Sequence, residues 1–288
     1  MKKLLLAGIL GGCLLSAANI TPYFSLISYS KQTDKKFAYI GGLYFSNTHG
    51  QYKIENDFEY LDLKYDTTPD YKEFDWTFVI NYFNGYNYKY RFGVHNIFTS
   101  TPDTYVYTEG FRTYQKTDYI HDYDFVVFTG IMYYKYLKYN TGIDVYYSNY
   151  KTTDVYQISP YYGFDFGDYY SKIGSFYFKT TVNFIDITKK VTPKTNYTNV
   201  DLQLQNFKGP WITTFKTSIG KTAYKVANDG FVVYNLGEEY KSVYSLEIGK
   251  KIKNNSFISV NLGYSDFVES DGKDGSSNII GFTFSHNF

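Results

Sequence analysis

The chain has 288 residues, with 29 Lys and Arg against 28 Asp and Glu, so its net charge of +1 offers no basic excess for nucleic acid. Aromatic residues reach 22%, with 36 Tyr and 25 Phe, beside 20% charged residues and a mean hydropathy of -0.38. The single cysteine, Cys13, excludes a disulfide framework, and no run of 18 apolar residues follows residue 20, which excludes helical membrane spans.

The chain opens with Lys2 and Lys3, an apolar run from Leu4 to Leu15, and the small residues Ser16-Ala17-Ala18. This order predicts an export signal cleaved after Ala18, so residues 1–18 are set apart from the fold. Leu10-Gly11-Gly12-Cys13 offers an alternative, a lipoprotein box with lipidation at Cys13. Both readings export the chain. Residues 19–288 are expected to form one domain.

Period-two alternation then runs almost throughout. Tyr52, Ile54, Phe58 and Tyr60 oppose Gln51, Lys53, Glu55, Asp57 and Glu59. Phe74, Trp76, Phe78, Ile80 and Tyr82 oppose Glu73, Asp75, Thr77, Val79 and Asn81. After an Asn84-Gly85 turn, Tyr86, Tyr88, Tyr90, Phe92 and Val94 oppose Asn87, Lys89, Arg91, Gly93 and His95. The same rhythm follows at 156–164, 176–184, 200–204, 211–219, 244–248 and 258–264. Turns are predicted at Thr48-His49-Gly50, Asp66–Asp70, Ser100-Thr101-Pro102-Asp103, Asn140-Thr141-Gly142, Lys208-Gly209-Pro210, Asn228-Asp229-Gly230 and Asn254-Asn255-Ser256. Gly41-Gly42 falls inside a strand, where it relieves crowding or marks a bulge. No plug-sized insert is expected. The longest polar stretch near the end is Glu269–Asn278.

The last run, Asn278–Phe288, places Ile280, Phe282, Phe284 and Phe288 on one face and small or polar residues on the other. With the export signal, this terminal strand resembles the closing strand of bacterial outer-membrane β-barrels. The porin-like resemblance implies a Gram-negative outer-membrane location and contact with outer-membrane lipid. It also implies insertion by the barrel-assembly machinery, which reads Phe282, Phe284 and Phe288. The expected fold is an all-β transmembrane antiparallel up-and-down barrel. It should have about 14 strands, within 12–16, given spans of roughly 9–11 residues. The uncertain segments are residues 20–30, a strand or a lead-in, and 227–252, one strand or two. The loop at 269–278 should face outside.

The inward face would then carry Lys53, Glu55, Asp57, Glu59, Asp75, Lys89, Arg91, Asp165, Lys179, Asp201, Lys216 and Glu247 as candidate pore-lining residues. Seven acids against five bases predict weak cation preference. Arg91 is expected either to pair with Asp75 or Glu73 or to serve with Lys89 as a local anionic-solute site. His95 reads as a hydrogen-bonded wall residue, and no His/Cys cluster has metal-ligand spacing. No cofactor or catalytic residue is expected. The resemblance implies a channel for passive diffusion of small hydrophilic solutes or ions. The alternatives are a non-conducting structural or adhesin-like barrel and, third, an outer-membrane enzyme.

Overall fold

The computed structural model describes residues 19–109, 112–253 and 255–288, so the signal segment, Cys13 and Asn254 lie outside the described residues. The strands are β1 (Asn19–Lys31), β2 (Lys35–His49), β3 (Tyr52–Tyr65), β4 (Tyr71–Phe83), β5 (Tyr88–Glu109), β6 (Arg112–Lys135), β7 (Tyr139–Asn149) and β8 (Asp154–Gly167). They continue with β9 (Ser175–Ile187), β10 (Asn196–Lys208), β11 (Trp211–Thr222), β12 (Val226–Ala227), β13 (Val232–Val233), β14 (Glu239–Lys253), β15 (Ser256–Val268) and β16 (Asp274–Asn287). A one-turn 3₁₀ helix, Asn228–Gly230, joins β12 to β13.

All but β12 and β13 close a 14-strand antiparallel barrel, in which each strand pairs with its neighbours in sequence. Closure is made by β1 on β16, in register from Asn19 opposite Asn287 to Lys31 opposite Gly275. Residues 20–30 are therefore a full strand. Closure removes the sheet edge, the one arrangement by which strands satisfy their backbone in lipid.

Alternation sorts the two faces. Outward residues include Ile54, Phe92, Ile158, Phe184, Phe215, Ile258 and Phe282, all exposed. Exposed apolar side chains around the whole circumference are costly in water and suit lipid. From β3 to β8 aromatic rings line this face in two tiers. One runs through Tyr52, Tyr82 and Tyr90, then Tyr88, Tyr133, Tyr139 and Tyr162. The other runs through Phe58, Phe74, Phe98 and Tyr123, then Phe125, Tyr147 and Tyr156. Along β4 the tiers stand at Tyr82 and Phe74, about 26 Å apart along the strand. On strands tilted by about 40° this is roughly 20 Å along the membrane normal, close to the height of the apolar band of a membrane barrel. This is a barrel of the Gram-negative outer membrane.

Connections at the end that holds Asn19 and Asn287 are mostly short, and those at the opposite end are longer. Short turns belong to the periplasm and long loops to the outside. The 269–273 turn stands at the long-loop end, and it is shorter than expected because β16 already begins at Asp274.

Three local expectations fail. Asn140-Thr141-Gly142 lies within β7; the turn is 136–138, where Leu137 takes a positive φ of 52°. Ser100-Thr101-Pro102-Asp103 lies within β5. The β4 pairing ends at Ser100 and the β7 pairing begins at Phe125, so β5 and β6 continue beyond the wall as a two-stranded ribbon. Pro102 sits where β5 has become an edge, the place a strand tolerates a missing N–H.

The third correction is the largest. Residues 223–238 between β11 and β14 are an insert that folds into the barrel. The segment 227–252 is thus half hairpin and half strand. Gly42, by contrast, behaves as expected: a Cβ there would overlap the Tyr23 ring across the lumen face.

Candidate functional site: a lumen occupied by a hairpin

Residues 223–238 leave β11 just after a register shift between Ile219 and Thr222 and turn inward. The hairpin has only two ladder pairs, Val226 with Val233 and Ala227 with Val232. The wall supplies the rest of its backbone bonding. The Gln157 amide of β8 accepts from the Val226 N–H at 2.8 Å and donates to the Val226 carbonyl at 2.7 Å, as a neighbouring strand would. Gln157 is itself buried and held by Ser159 and Asn183.

Apolar contacts fix the same segment. Val226 is buried among Val79, Val126, Phe128 and Tyr146. Tyr224 stacks on Tyr150 in a second cluster with Ile97, Val155, Ile185 and Ile187. Phe231 meets Tyr44 edge-on. At the tip, Gly230 has φ of 97°, and a Cβ there would overlap the Phe128 ring.

Charges complete the seating. Lys225 is buried and donates to Asp201 at 2.8 Å and Ser218 at 3.2 Å. Asn235 donates to Glu73. Arg91 spans Asp144 at 3.3 Å and Asp229 at 2.9 Å, so its partners are these two and not Asp75 or Glu73. Behind the hairpin, Lys35 of β2 is buried and paired with Glu238 and Glu269. Lys225, Arg91 and Lys35 are buried cations, and losing a partner would strand each of them.

All twelve candidate pore residues carry the parity of the inward face, but they have different surroundings. Lys53 pairs with Glu55 at 2.6 Å, and Tyr44 also donates to Glu55. Asp57 and Glu59 both accept from Tyr23, at 3.0 and 2.7 Å. Asp75 stands opposite Glu59 and 3.5 Å from His95, whose other ring nitrogen bonds Thr77 at 2.7 Å. Asp201 holds Lys225 and Asn183. Lys179 stands over the Tyr161 ring. Lys89 and Lys216 border cavities. Asp165 is exposed near the short-turn end. Glu247 lies beside Thr214 and Asn261 and borders neither cavity.

The charges therefore segregate instead of averaging. Asp57, Glu59, Glu73 and Asp75 make an acidic wall on β3 and β4, while Lys89, Arg91 and Lys179 gather around the hairpin tip. Glu73, Asp144, Gln157, Lys225 and Asp229 all join the site without having been predicted for it. Parity alone marked Glu73 and Gln157. Asp144 was hidden by the misplaced turn at 140–142, and Asp229 by a correct turn assignment that said nothing about where the turn goes.

Two cavities remain. One, of about 560 Å³, lies between the hairpin and the β2–β5 wall and is bordered by Tyr23, Tyr44, Glu55, Glu59 and Arg91. The other, of about 850 Å³, is bordered by the hairpin and by Tyr29, Glu73, Tyr177 and Asn261 of the wall. Both are bordered by Asn228, Asp229, Phe231 and Val232 of the hairpin, and by Glu59, Lys89 and Arg91. Among the described residues, no group of three or more His, Cys, Asp or Glu is arranged to hold a metal ion.

A closed 14-strand barrel with a lipid-facing exterior defines a bacterial outer-membrane β-barrel protein. Solved structures agree with that class. The chain is similar to a monoaromatic hydrocarbon channel, CymD, at 9% identity and a TM-score of 0.60, covering 95% of this chain and 89% of that one. It is similar to the toluene transporter TbuX of Ralstonia pickettii at 6% identity and a TM-score of 0.59, covering 95% and 90%. It is also similar to a bacterial polysaccharide outer-membrane secretin at 9% identity and a TM-score of 0.53, covering 95% and 99%. At such identities these likenesses show the fold. No family profile and no curated sequence matches the chain.

Proposed function

We propose that the barrel is an outer-membrane channel through which small solutes cross by diffusion, with residues 223–238 setting its narrowest section. One observation carries this reading: the hairpin tip borders both cavities, so Asp229 flanks a solute that moves between them. A charged and hydrogen-bonding wall favours hydrophilic solutes or ions, because it replaces the water they shed. The named channels among its structural neighbours carry hydrocarbons, which favours a second reading. The larger cavity supports it with an apolar flank of Ile27, Tyr29, Ile40, Leu61, Leu236 and Ile279. Refolded protein in planar bilayers should give discrete conductance steps, and liposomes should admit small sugars. Toluene uptake without ion conductance would select the second reading; neither transport would overturn the channel.

The same reading assigns Phe282, Phe284 and Phe288 to the strand face presented to lipid and to the assembly machinery. Phe282 is half exposed on that face, while Thr283 pairs with Tyr23 and Ser259 on the other parity. A Lys on the lipid face costs roughly 2–4 kcal/mol at the midplane. Phe282→Lys should therefore deplete the heat-modifiable folded band in outer-membrane fractions, and Thr283→Lys should not. Equal depletion would reverse the facing.

A further inference from the structure

We infer that the lumen contains a binding site for the carboxylate of a small anionic solute, and that Asp229 fills it as an internal stand-in. Only the delivery of solute rests on the channel reading; the site itself does not need an open path. Three cations from two strands, β5 and β9, converge on one carboxylate. Arg91, buried on β5, directs Nη2 to Asp229 Oδ2 at 2.9 Å. Lys179, on β9, stands 3.9 Å from the other oxygen, Oδ1. Lys89, two residues before Arg91 on the same face, borders both cavities beside Asp229. Asp144 answers one of the three through the second arm of the Arg91 fork. Without Asp229, Arg91 and Lys179 would lose the carboxylate they share, and only Asp144 would still be paired with Arg91 in a lumen of restricted water.

The Asp229 carboxylate is attached but not entombed. Its side chain is 44% exposed, unlike Arg91 at 5%, and it stands where the two cavities meet. It reaches the cradle through a left-handed backbone at Asn228 (φ 50°) and Asp229 (φ 63°), a conformation that Asn and Asp adopt more readily than other L residues. A free carboxylate offers one oxygen to Arg91 and the other to Lys179, as Asp229 does, without needing the tip in place. Exchange between the two would clear the tip from the narrowest section for the solute class the cradle recognises.

The test is calorimetric binding of succinate to the refolded barrel in detergent, with neutral succinamide and inorganic phosphate as comparators. Asp229→Asn keeps a residue at ease with positive φ and removes the internal competitor; it should bind succinate at least 10-fold more tightly than the wild type. Arg91→Gln should abolish binding, and Lys179→Met should weaken it at least 5-fold. If Arg91→Gln fails to show the folded, heat-modifiable band, the opposite shifts of Asp229→Asn and Lys179→Met decide the matter. Equal affinity of Asp229→Asn and wild type overturns the stand-in. Phosphate binding as tightly as succinate overturns the carboxylate assignment, and succinamide binding as tightly overturns the charge requirement. A barrel that binds succinate in this pattern and conducts nothing leaves the site standing and removes only the channel.

Discussion

Two long excursions leave the same end of this barrel and go opposite ways. The β5–β6 ribbon projects outward; residues 223–238 fold inward. The ribbon meets its own backbone needs, since β5 and β6 stay in register from Ser100 with His121 to Glu109 with Arg112. The 223–238 hairpin has two ladder pairs and must borrow the rest. Its donors and acceptors are therefore found on the wall, at Gln157, Asp201, Glu73 and Arg91. An excursion that is self-paired is free to leave the barrel, whereas one that is not must find partners, and the lumen holds them.

The comparison breaks most sharply if the hairpin loses its seat. Gly230→Val places a β-branched residue at φ 97° against the Phe128 ring. Strain of about 1–3 kcal/mol adds to an overlap that neither chain can relieve in place. The hairpin should leave the lumen, and amide exchange at Val226 and Tyr234 should lose its protection while the barrel itself stays folded. Gln157→Leu is the next step down. It leaves the Val226 N–H and carbonyl buried and unpaired, a loss of about 3 kcal/mol or roughly 100-fold faster exchange at Val226. Unchanged exchange in both variants would mean that the wall does not hold the hairpin. The converse experiment removes the ribbon. Replacing residues 104–117 by a two-residue turn should leave the temperature of barrel unfolding on gels unchanged, because among the described residues no wall strand pairs with that stretch; a marked drop would show that the ribbon braces the wall.

What was legible follows from period two. Alternation in Phe74–Tyr82, Tyr86–Val94 and Ile258–Tyr264 fixed the lipid face, and spans of strand length fixed the count near 14. The hairpin was not legible, because Val226, Ala227, Val232 and Val233 are too few to alternate. Its footprint, however, was present on the strands. Val79, Ile97, Val126 and Phe128 are apolar residues at inward parity, where a water-filled lumen gives them nothing to bury against. All four are buried, and Val79, Val126 and Phe128 lie against the hairpin. Apolar residues on the wet face of a barrel strand announce that something fills the lumen at that height. The charge count could not locate the cradle for a related reason: seven acids and five bases describe a composition, while the cradle depends on which strands carry Arg91, Lys179 and Asp144 and on an Asp that the insert brings from elsewhere.

The smallest expected effect lies between the two excursions, at turns that neither project nor plug. Asp34, between β1 and β2, accepts from Thr67 at 2.7 Å and Thr68 at 3.0 Å in the next turn, and its carbonyl accepts the Asp66 N–H. The threonine hydroxyl bonds favour the ionised carboxylate and hold Asp34 below the ordinary carboxylate range. A depressed value means that the folded state binds a proton less readily than the unfolded one. The contribution is therefore fully present above about pH 4, the unfolded aspartate value, and is lost as pH falls further through the folded value. Because Asp34 lies in a surface turn, this should be a local effect. Asp66 amide exchange, corrected for intrinsic rate, should quicken on acidification below pH 4 in the wild type and be independent of pH in Asp34→Asn. Meanwhile the Val226 amide, fastened by a neutral Gln157, should show no such step. A step at Val226 in the same range would mean that its seat depends on the acidic wall and not on the amide that grips its backbone.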